Sequence, residues 1–297
     1  MSLWSQIFQF LIAGLSVGAI YALIALGFGI IYNATGIVNL AQGEFVMLGA
    51  MVAISLHGPG HLPLPLAFFG AVLAVTLIAA LVERAAIRPL RAQGVLVLII
   101  STVAVSMILR GGAMLIWGKE HQPLRGFSRV ETVSLGDVII LTQSLWALGA
   151  ALAAMVALQL FYARVTVGKA MRATAINREG AALVGVSPSG MVFWSFALSG
   201  GLGAMAGILI APIHMAAYNM GTMLGLKGFA AAVLGGLGSS VGGIAGGLAL
   251  GALESLGAGL APSGLSGYRD AFAFAVLLIV LFIRPTGIFG ARVNRGE

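Results

Sequence analysis

No cysteine occurs in the 297-residue chain, so a disulfide framework and any thiolate metal site are excluded. Charge is nearly as scarce. Only 8% of the residues are Asp, Glu, Lys or Arg, against 60% hydrophobic ones, where a soluble domain carries about 25% charged residues. So few charges cannot cover a water-facing surface, which excludes an ordinary soluble globule. Charged side chains are missing altogether from 138–163 and from 180–226, and a helix needs only about 20 apolar residues to cross a bilayer. A mean hydropathy of +1.05 agrees. The formal charge of +7 does not point to nucleic acid, because the basic residues lie between apolar runs and act there as a topology signal. MSLWSQ carries no basic residue ahead of the first apolar run, so the N-terminus does not read as a signal peptide.

What is present is a series of apolar runs at 8–31, 38–56, 66–82, 95–117, 138–163, 190–212, 226–240, 243–260 and 271–283. Backbone amides in lipid must be satisfied within their own segment, so each run is predicted to be helical. The expectation is an all-α polytopic membrane protein of eight to nine transmembrane helices, one domain over 1–297. The run 226–240 is short enough to be a half-helix, and the last helix has a second possible start near Tyr268. Basic segments lie at 83–91, at 164–179 (Arg164, Lys169, Arg172, Arg178) and after Ile283 (Arg284, Arg292, Arg295). All three are predicted to be cytoplasmic. The mixed-charge stretch 119–137 falls outside, and nine crossings place the N-terminus out and the C-terminus in.

Glycine is abundant, at 43 residues. In GGLGSSVGGIAGGLALGALESLGAG, Ser239, Gly243, Gly247, Gly251, Ser255 and Gly259 recur every fourth residue, with Gly238, Gly242 and Gly246 in a neighbouring row. Gly14 and Gly18 repeat the spacing in the first run. Such rows let helix backbones approach closely in lipid, and they predict a tightly packed bundle.

Against this background NLAQGEF (39–45) stands out. Glu44 is the only formal charge between Met1 and Val82. Turn-forming NATG precedes it. Asn39 and Gln42 have the spacing of a capping box, so a helix is predicted to restart at Leu40 at or below the membrane surface. Asn39, Gln42 and Gly43 then either cap a helix at the interface or line a cavity. A carboxylate one turn deeper is costly in lipid, so Glu44 is expected to face a pathway or an interior network.

Other polar residues carry less. Glu254 lies mid-run and either lines the pathway or bonds across helices. Lys227 is expected to snorkel to the interface, and His214 to be interfacial. His57 and His61 have no third ligand nearby and read as an ordinary turn, with no metal site. GLKGFAAAVLGGLGS faintly echoes NLAQGEFVMLGA, as an internal repeat would. ATP chemistry is not in the chain, because Gly168–Lys169 is followed by Ala170 and Gly118–Lys119 by Glu120, rather than by Ser or Thr, and a P-loop needs that hydroxyl for Mg²⁺.

GIVNLAQGEFVMLGA, GKAMRATAINREGAALVGV and FIRPTGIFG together resemble the membrane permease subunits of branched-chain amino acid ABC importers, over nearly the whole chain. The resemblance implies an ABC importer permease fold in the bacterial inner membrane. It also implies as partners a second related permease, two ATP-binding cassette subunits that carry ATP and Mg²⁺, and a periplasmic substrate-binding protein. EGAALVG resembles the E-A-A-x-x-x-G loop through which importer permeases contact their ATPases. Glu179, Ala181 and Gly185 match, while Gly180 replaces the first Ala. The resemblance makes 164–188 a cytoplasmic coupling loop, with Lys169 and Arg172 on its basic side. The segment 167–184 is predicted to be one short helix ended by Gly185.

Three function classes remain at this point. The first is an import permease for branched-chain amino acids, with permeases for urea, short amides or aromatic carboxylates as close variants. The second is a secondary transporter, disfavoured because acids available for ion coupling are limited to Glu44 and Glu254. The third is a membrane enzyme, for which no catalytic set is present at membrane depth.

Overall fold

The computed structural model describes residues 3–128, 130–135, 138–260, 269–284 and 286–289. Arg129, Asp137, Tyr268, Arg292 and Arg295 lie outside the described residues. The helices are α1 (Leu3–Thr35), α2 (Gln42–His57), α3 (Leu64–Val82), α4 (Val95–Trp117), α5 (Thr142–Arg164), α6 (Thr166–Ile176), α7 (Arg178–Leu183), α8 (Pro188–His214), α9 (Met220–Gly235), α10 (Ser240–Leu260) and α11 (Arg269–Ile283). Nine of them overlap the nine apolar runs, although α9 spans Met220–Gly235 where the run was 226–240. Six are long and apolar enough to cross a membrane by themselves, while Met220–Gly235 is a shorter apolar helix. The chain is a multi-pass membrane protein.

Its outer surface confirms the solvent. Leu66, Phe69, Leu73, Leu77 and Leu81 form an exposed apolar stripe along α3. In water such a stripe is an aggregation hazard; in lipid it is the required surface.

Two further segments depart from the sequence reading in kind. The run 138–163 does not begin as helix. Val138–Leu141 is a strand, β2, paired antiparallel with β1 (Thr132–Leu135) in the register Thr132↔Leu141. Three consecutive β-branched residues favour a strand, and alternate ones, Val138 and Ile140, are buried. The segment 83–93 is not a loop. It continues α3 as a π turn and a 3-10 turn, tied by an Arg91–Glu83 ion pair.

The packing has an approximate two-fold repeat. α1 packs on α10 as α8 packs on α3, α1 on α9 as α8 on α2, and α9 on α10 as α2 on α3. Each half is a long helix, an unwound connection, a 16-residue helix and a further span. The register of facing residues sets the directions. Gly14 and Gly18 meet Gly251 and Gly247 in order, so α1 and α10 are antiparallel; Gly203 and Gly207 meet Phe45 and Val46, so α2 and α8 are parallel. Inverted repeats with interrupted helices are a recurrent transporter architecture, with sites at the repeat interface. The faint echo read in the sequence therefore has a structural basis, but in another register. The helix equivalent to Gln42–His57 begins at Met220, several residues before GLKGF.

The glycine rows divide their work. Gly247 and Gly251 face α1, where an added Cβ at Gly247 would strike the Ala22 backbone and one on Gly14 would lie 2.7 Å from the Gly251 carbonyl oxygen. Gly242 and Gly246 face α9, against Gly235 and Ala231. Gly243 is looser: its nearest neighbour, Ala25, is 3.6 Å from the added carbon. The row is therefore not uniform along its length.

Candidate functional site

The unwound connection 36–41 carries the NLAQGEF motif into the bundle. Gly36 turns the chain with φ +74°, a value that favours glycine. The segment then runs inward beside α4, where Leu40 N–H donates to Thr102 Oγ1 at 3.2 Å. Gln42 arrives opposite Gly27. That is roughly 12 Å back along α1 from its end at Thr35, at 1.5 Å per residue. The helix thus restarts at Gln42, inside the bundle, rather than at Leu40 at its edge. Non-helical backbone at this depth is tolerated because protein covers it: Ile37, Asn39 and Ala41 are buried.

The predicted capping box does not form. Asn39 Oδ1 accepts from Ala41 N–H at 3.1 Å, a local turn contact. The Gln42 amide is used elsewhere. Its Nε2 donates to the Ser199 carbonyl at 3.1 Å, and its Oε1 lies 2.5 Å from Ser199 Oγ, which is also 2.9 Å from the Gly27 carbonyl oxygen. A tertiary partner on α8 outcompetes the local cap. Gln42 is a clamp between α1, α2 and α8. Gly43 packs backbone to backbone against Gly221, the equivalent position of α9, and against Gly225. The first turns of α2 and α9 therefore meet in the middle of the bundle.

Glu44 sits at that meeting point, 2% exposed. Its Oε1 accepts from Ser106 Oγ of α4 at 2.9 Å. Among the described residues its Oε2 has no hydrogen-bond partner, and it lies 2.7 Å from where a Cβ on Gly221 would be. One turn beyond Ser106, Arg110 Nη1 donates to Thr222 Oγ1 at 2.9 Å. These groups border a cavity of about 380 Å³ whose apolar wall includes Phe28, Val103, Met107, Leu226 and Phe229. Arg110 was not singled out in the sequence. The signal was available: a lone formal charge within the 23 residues of α4, which lipid does not tolerate without a function.

Glu254 is in a different place. Its Oε1 pairs with Lys227 Nζ at 2.9 Å and its Oε2 accepts from Tyr21 Oη at 2.9 Å, with Lys227 also over the Tyr21 ring. It bonds across α1, α9 and α10, one of the two alternatives read in the sequence. Lys227 does not snorkel; it is buried and pairs with the Glu254 carboxylate. This network borders a second cavity of about 360 Å³ with His214 and Met220.

The segment 164–188 breaks into α6 and α7 at Asn177, whose φ of −147° is not helical and whose side chain caps α7 by accepting from Gly180 N–H at 2.8 Å. The expected single helix is therefore two. Gly185 ends α7 with φ +86°, accompanied by Val186 N–H donating to the Ala181 carbonyl at 3.0 Å, a Schellman-like stop. Lys169, Arg172 and Glu179 are exposed, while Ala181 is turned into the chain. Ile176, Leu183 and Val184 are 84%, 89% and 79% exposed. At the other end, His57 Nδ1 contacts the Leu62 carbonyl at 2.9 Å. Among the described residues no group of three acidic or histidine side chains is placed to hold a metal.

Comparison with known proteins agrees with this architecture. The model of the family described as branched-chain amino acid transport system / permease component matches residues 10–281. The high-affinity branched-chain amino acid transport system permease protein BraD of Pseudomonas aeruginosa is 33% identical, over 95% of each chain. The corresponding LivH protein of Escherichia coli is 32% identical over 93% of each chain. A probable LivH permease of Methanocaldococcus jannaschii is 28% identical over 90% of this chain and 88% of its own. Among solved structures, PsaBC from Streptococcus pneumoniae in complex with Fab aligns over 94% of this chain and 93% of its own, with a TM-score of 0.51 and 17% identity, which concerns the fold alone. By the match over most of its length, the chain belongs to the family of branched-chain amino acid transport system permease components.

Proposed function

We propose that the chain is the membrane-spanning subunit of an ATP-driven importer that moves branched-chain amino acids delivered by a periplasmic binding protein. The observation that carries this reading is the family match over residues 10–281. The inverted repeat with two interrupted helices supports it, because it builds a polar centre inside an apolar bundle. Permeases of this kind work with ATPase and binding-protein partners. Here the working unit is this chain, a second related permease and two ATPase subunits that hold ATP and Mg²⁺. Asn39, Gln42 and Gly43 shape the start of α2, and Glu44 faces the pathway. Glu254 belongs to the network that fixes α1, α9 and α10 around it.

The coupling surface of this reading is α7. Ile176, Leu183 and Val184 are large apolar side chains held in the open on a basic cytoplasmic segment. Free in water they are unfavourable, and a docked partner removes that cost. Uptake of labelled leucine into vesicles carrying the four-subunit assembly tests the function directly. Gly185→Val is expected to lower uptake at least about tenfold while insertion of the permease stays intact, because a β-branched residue cannot adopt the φ that ends α7. Glu179→Lys is expected to weaken recovery of the ATPase with the permease. Full uptake and full ATPase recovery in both variants would remove α7 as the coupling element.

Orientation is tested separately. The chain lacks cysteine, so single cysteines report cleanly. Cysteines at the exposed positions Ala92 and Ile176 are expected to resist an impermeant thiol reagent applied to intact cells. One at Glu120, also exposed, is expected to react. Labelling of Ile176→Cys from outside would invert the topology, and with it the cytoplasmic C-terminus.

A further inference from the structure

We infer that the cavity between α2, α4 and α9 is a weak binding site for a zwitterionic amino acid, with Arg110 as the carboxylate partner and Glu44 Oε2 as the ammonium partner. The inference rests on the import reading above and assigns the atoms that read the substrate on its way through. Four observations carry it. First, Glu44 is almost fully buried and one of its carboxylate oxygens is unpartnered. A buried acceptor without a donor is costly, and an ammonium supplies the missing donors. Second, Arg110 donates to the neutral Thr222 hydroxyl through Nη1, one nitrogen of a guanidinium with five N–H donors. It does not close onto Glu44, since among the described residues Glu44 enters no ion pair. The two opposite charges border one cavity and act on each other through space without closing into an ion pair.

Third, the rest of the cavity lining is largely apolar. Val103, Met107, Leu226 and Phe229 offer a surface for a branched side chain, and about 380 Å³ falls in the range of small-molecule sites, ~300–1,000 Å³. Fourth, the framework is rigid. Gly43 and Gly221 lock the first turns of α2 and α9 together, and Ser106 fixes Glu44 Oε1. A neutral substrate such as urea has no use for two opposite charges placed this way, and a carboxylate without an amine meets Glu44 as a repulsion.

The test is saturation-transfer NMR on the purified importer without its binding protein, so that the permease alone discriminates. Leucine is the probe, with leucinamide, which lacks the carboxylate, and 4-methylpentanoate, which lacks the amine. Wild type is expected to bind leucine at about millimolar strength, and each one-charge analogue at least about tenfold more weakly, the effect of leaving one charge of the cavity unmatched. Arg110→Gln is expected to erase the preference over leucinamide and to keep the preference over 4-methylpentanoate. Glu44→Gln is expected to do the reverse. This crossed pattern separates recognition from folding, because each variant retains one discrimination. Should a variant fail to assemble, Arg110→Lys and Glu44→Asp replace it, and each is expected to shrink only its own preference. Retention of both preferences in either variant overturns the assignment, as does the absence of leucine binding in a wild-type preparation that imports leucine. A wild-type assembly that imports no leucine in vesicles overturns the proposed function instead.

Discussion

Lys227→Met is expected to destabilise the protein by about 3–5 kcal/mol, the cost of breaking a buried ion pair by removing one partner. Lys227 Nζ lies 2.9 Å from Glu254 Oε1, and both residues are buried. The variant leaves the carboxylate in a low-dielectric interior with a Tyr21 hydroxyl but without the Lys227 ammonium. Glu254→Gln leaves the ammonium in the same position and is expected to be comparably harmful. The double variant Lys227→Met with Glu254→Gln is expected to recover most of the loss. With no charge left, the desolvation cost disappears, and a neutral amide still accepts from Tyr21. Thermal melting of wild type and the three variants in detergent gives the cycle. If the double variant melts as low as the worse single one, the pair is not what holds α1, α9 and α10 together.

Much of the architecture was legible because lipid simplifies the problem. Apolar length locates the helices, and nine runs became nine helices. What failed were local readings with a long-range competitor. Asn39 and Gln42 have the spacing of a capping box, yet Gln42 spends its amide on Ser199, far away in sequence on α8. Lys227 looks interfacial until Glu254 is placed beside it. The strand Val138–Leu141 was absorbed into a span because an apolar run alone does not distinguish strand from helix. The repeat was sensed in the wrong register because its exact marker is a single glycine in each half, Gly43 and Gly221, whose meaning is a mutual backbone contact. Glu44 was found through rarity, being the one charge in a long neutral stretch. Arg110 obeyed the same rule inside α4 and was passed over, although a charge one turn from a serine in an apolar helix already marks a polar face.

The glycine seam between α1 and α10 sets the other large expectation. Gly247→Val is expected to prevent stable assembly of the bundle, and Gly247→Ala to lower its stability by at least ~1–3 kcal/mol, the range for overpacking a filled interior. The reason is that the obstruction is main chain. A Cβ at Gly247 meets Ala22 N and Cα, and one at Gly251 meets the Gly14 carbonyl and Gly18. The partners are equally tight, since a carbon on Gly18 would lie 2.8 Å from the Gly247 carbonyl oxygen. No rotamer change relieves backbone against backbone, so the helices must separate and lose the close contact that drives their association in lipid. Gly243 is the internal control. It lies in the same row, but its added carbon stays 3.6 Å from Ala25, an ordinary contact. Gly243→Ala is therefore expected to change stability by no more than about 0.5 kcal/mol, with the higher helix propensity of alanine acting in its favour. Thermal melting of the three alanine variants, Gly243, Gly247 and Gly251, decides the matter: equal melting temperatures for Gly243→Ala and Gly247→Ala would mean that the seam is not packed at backbone distance.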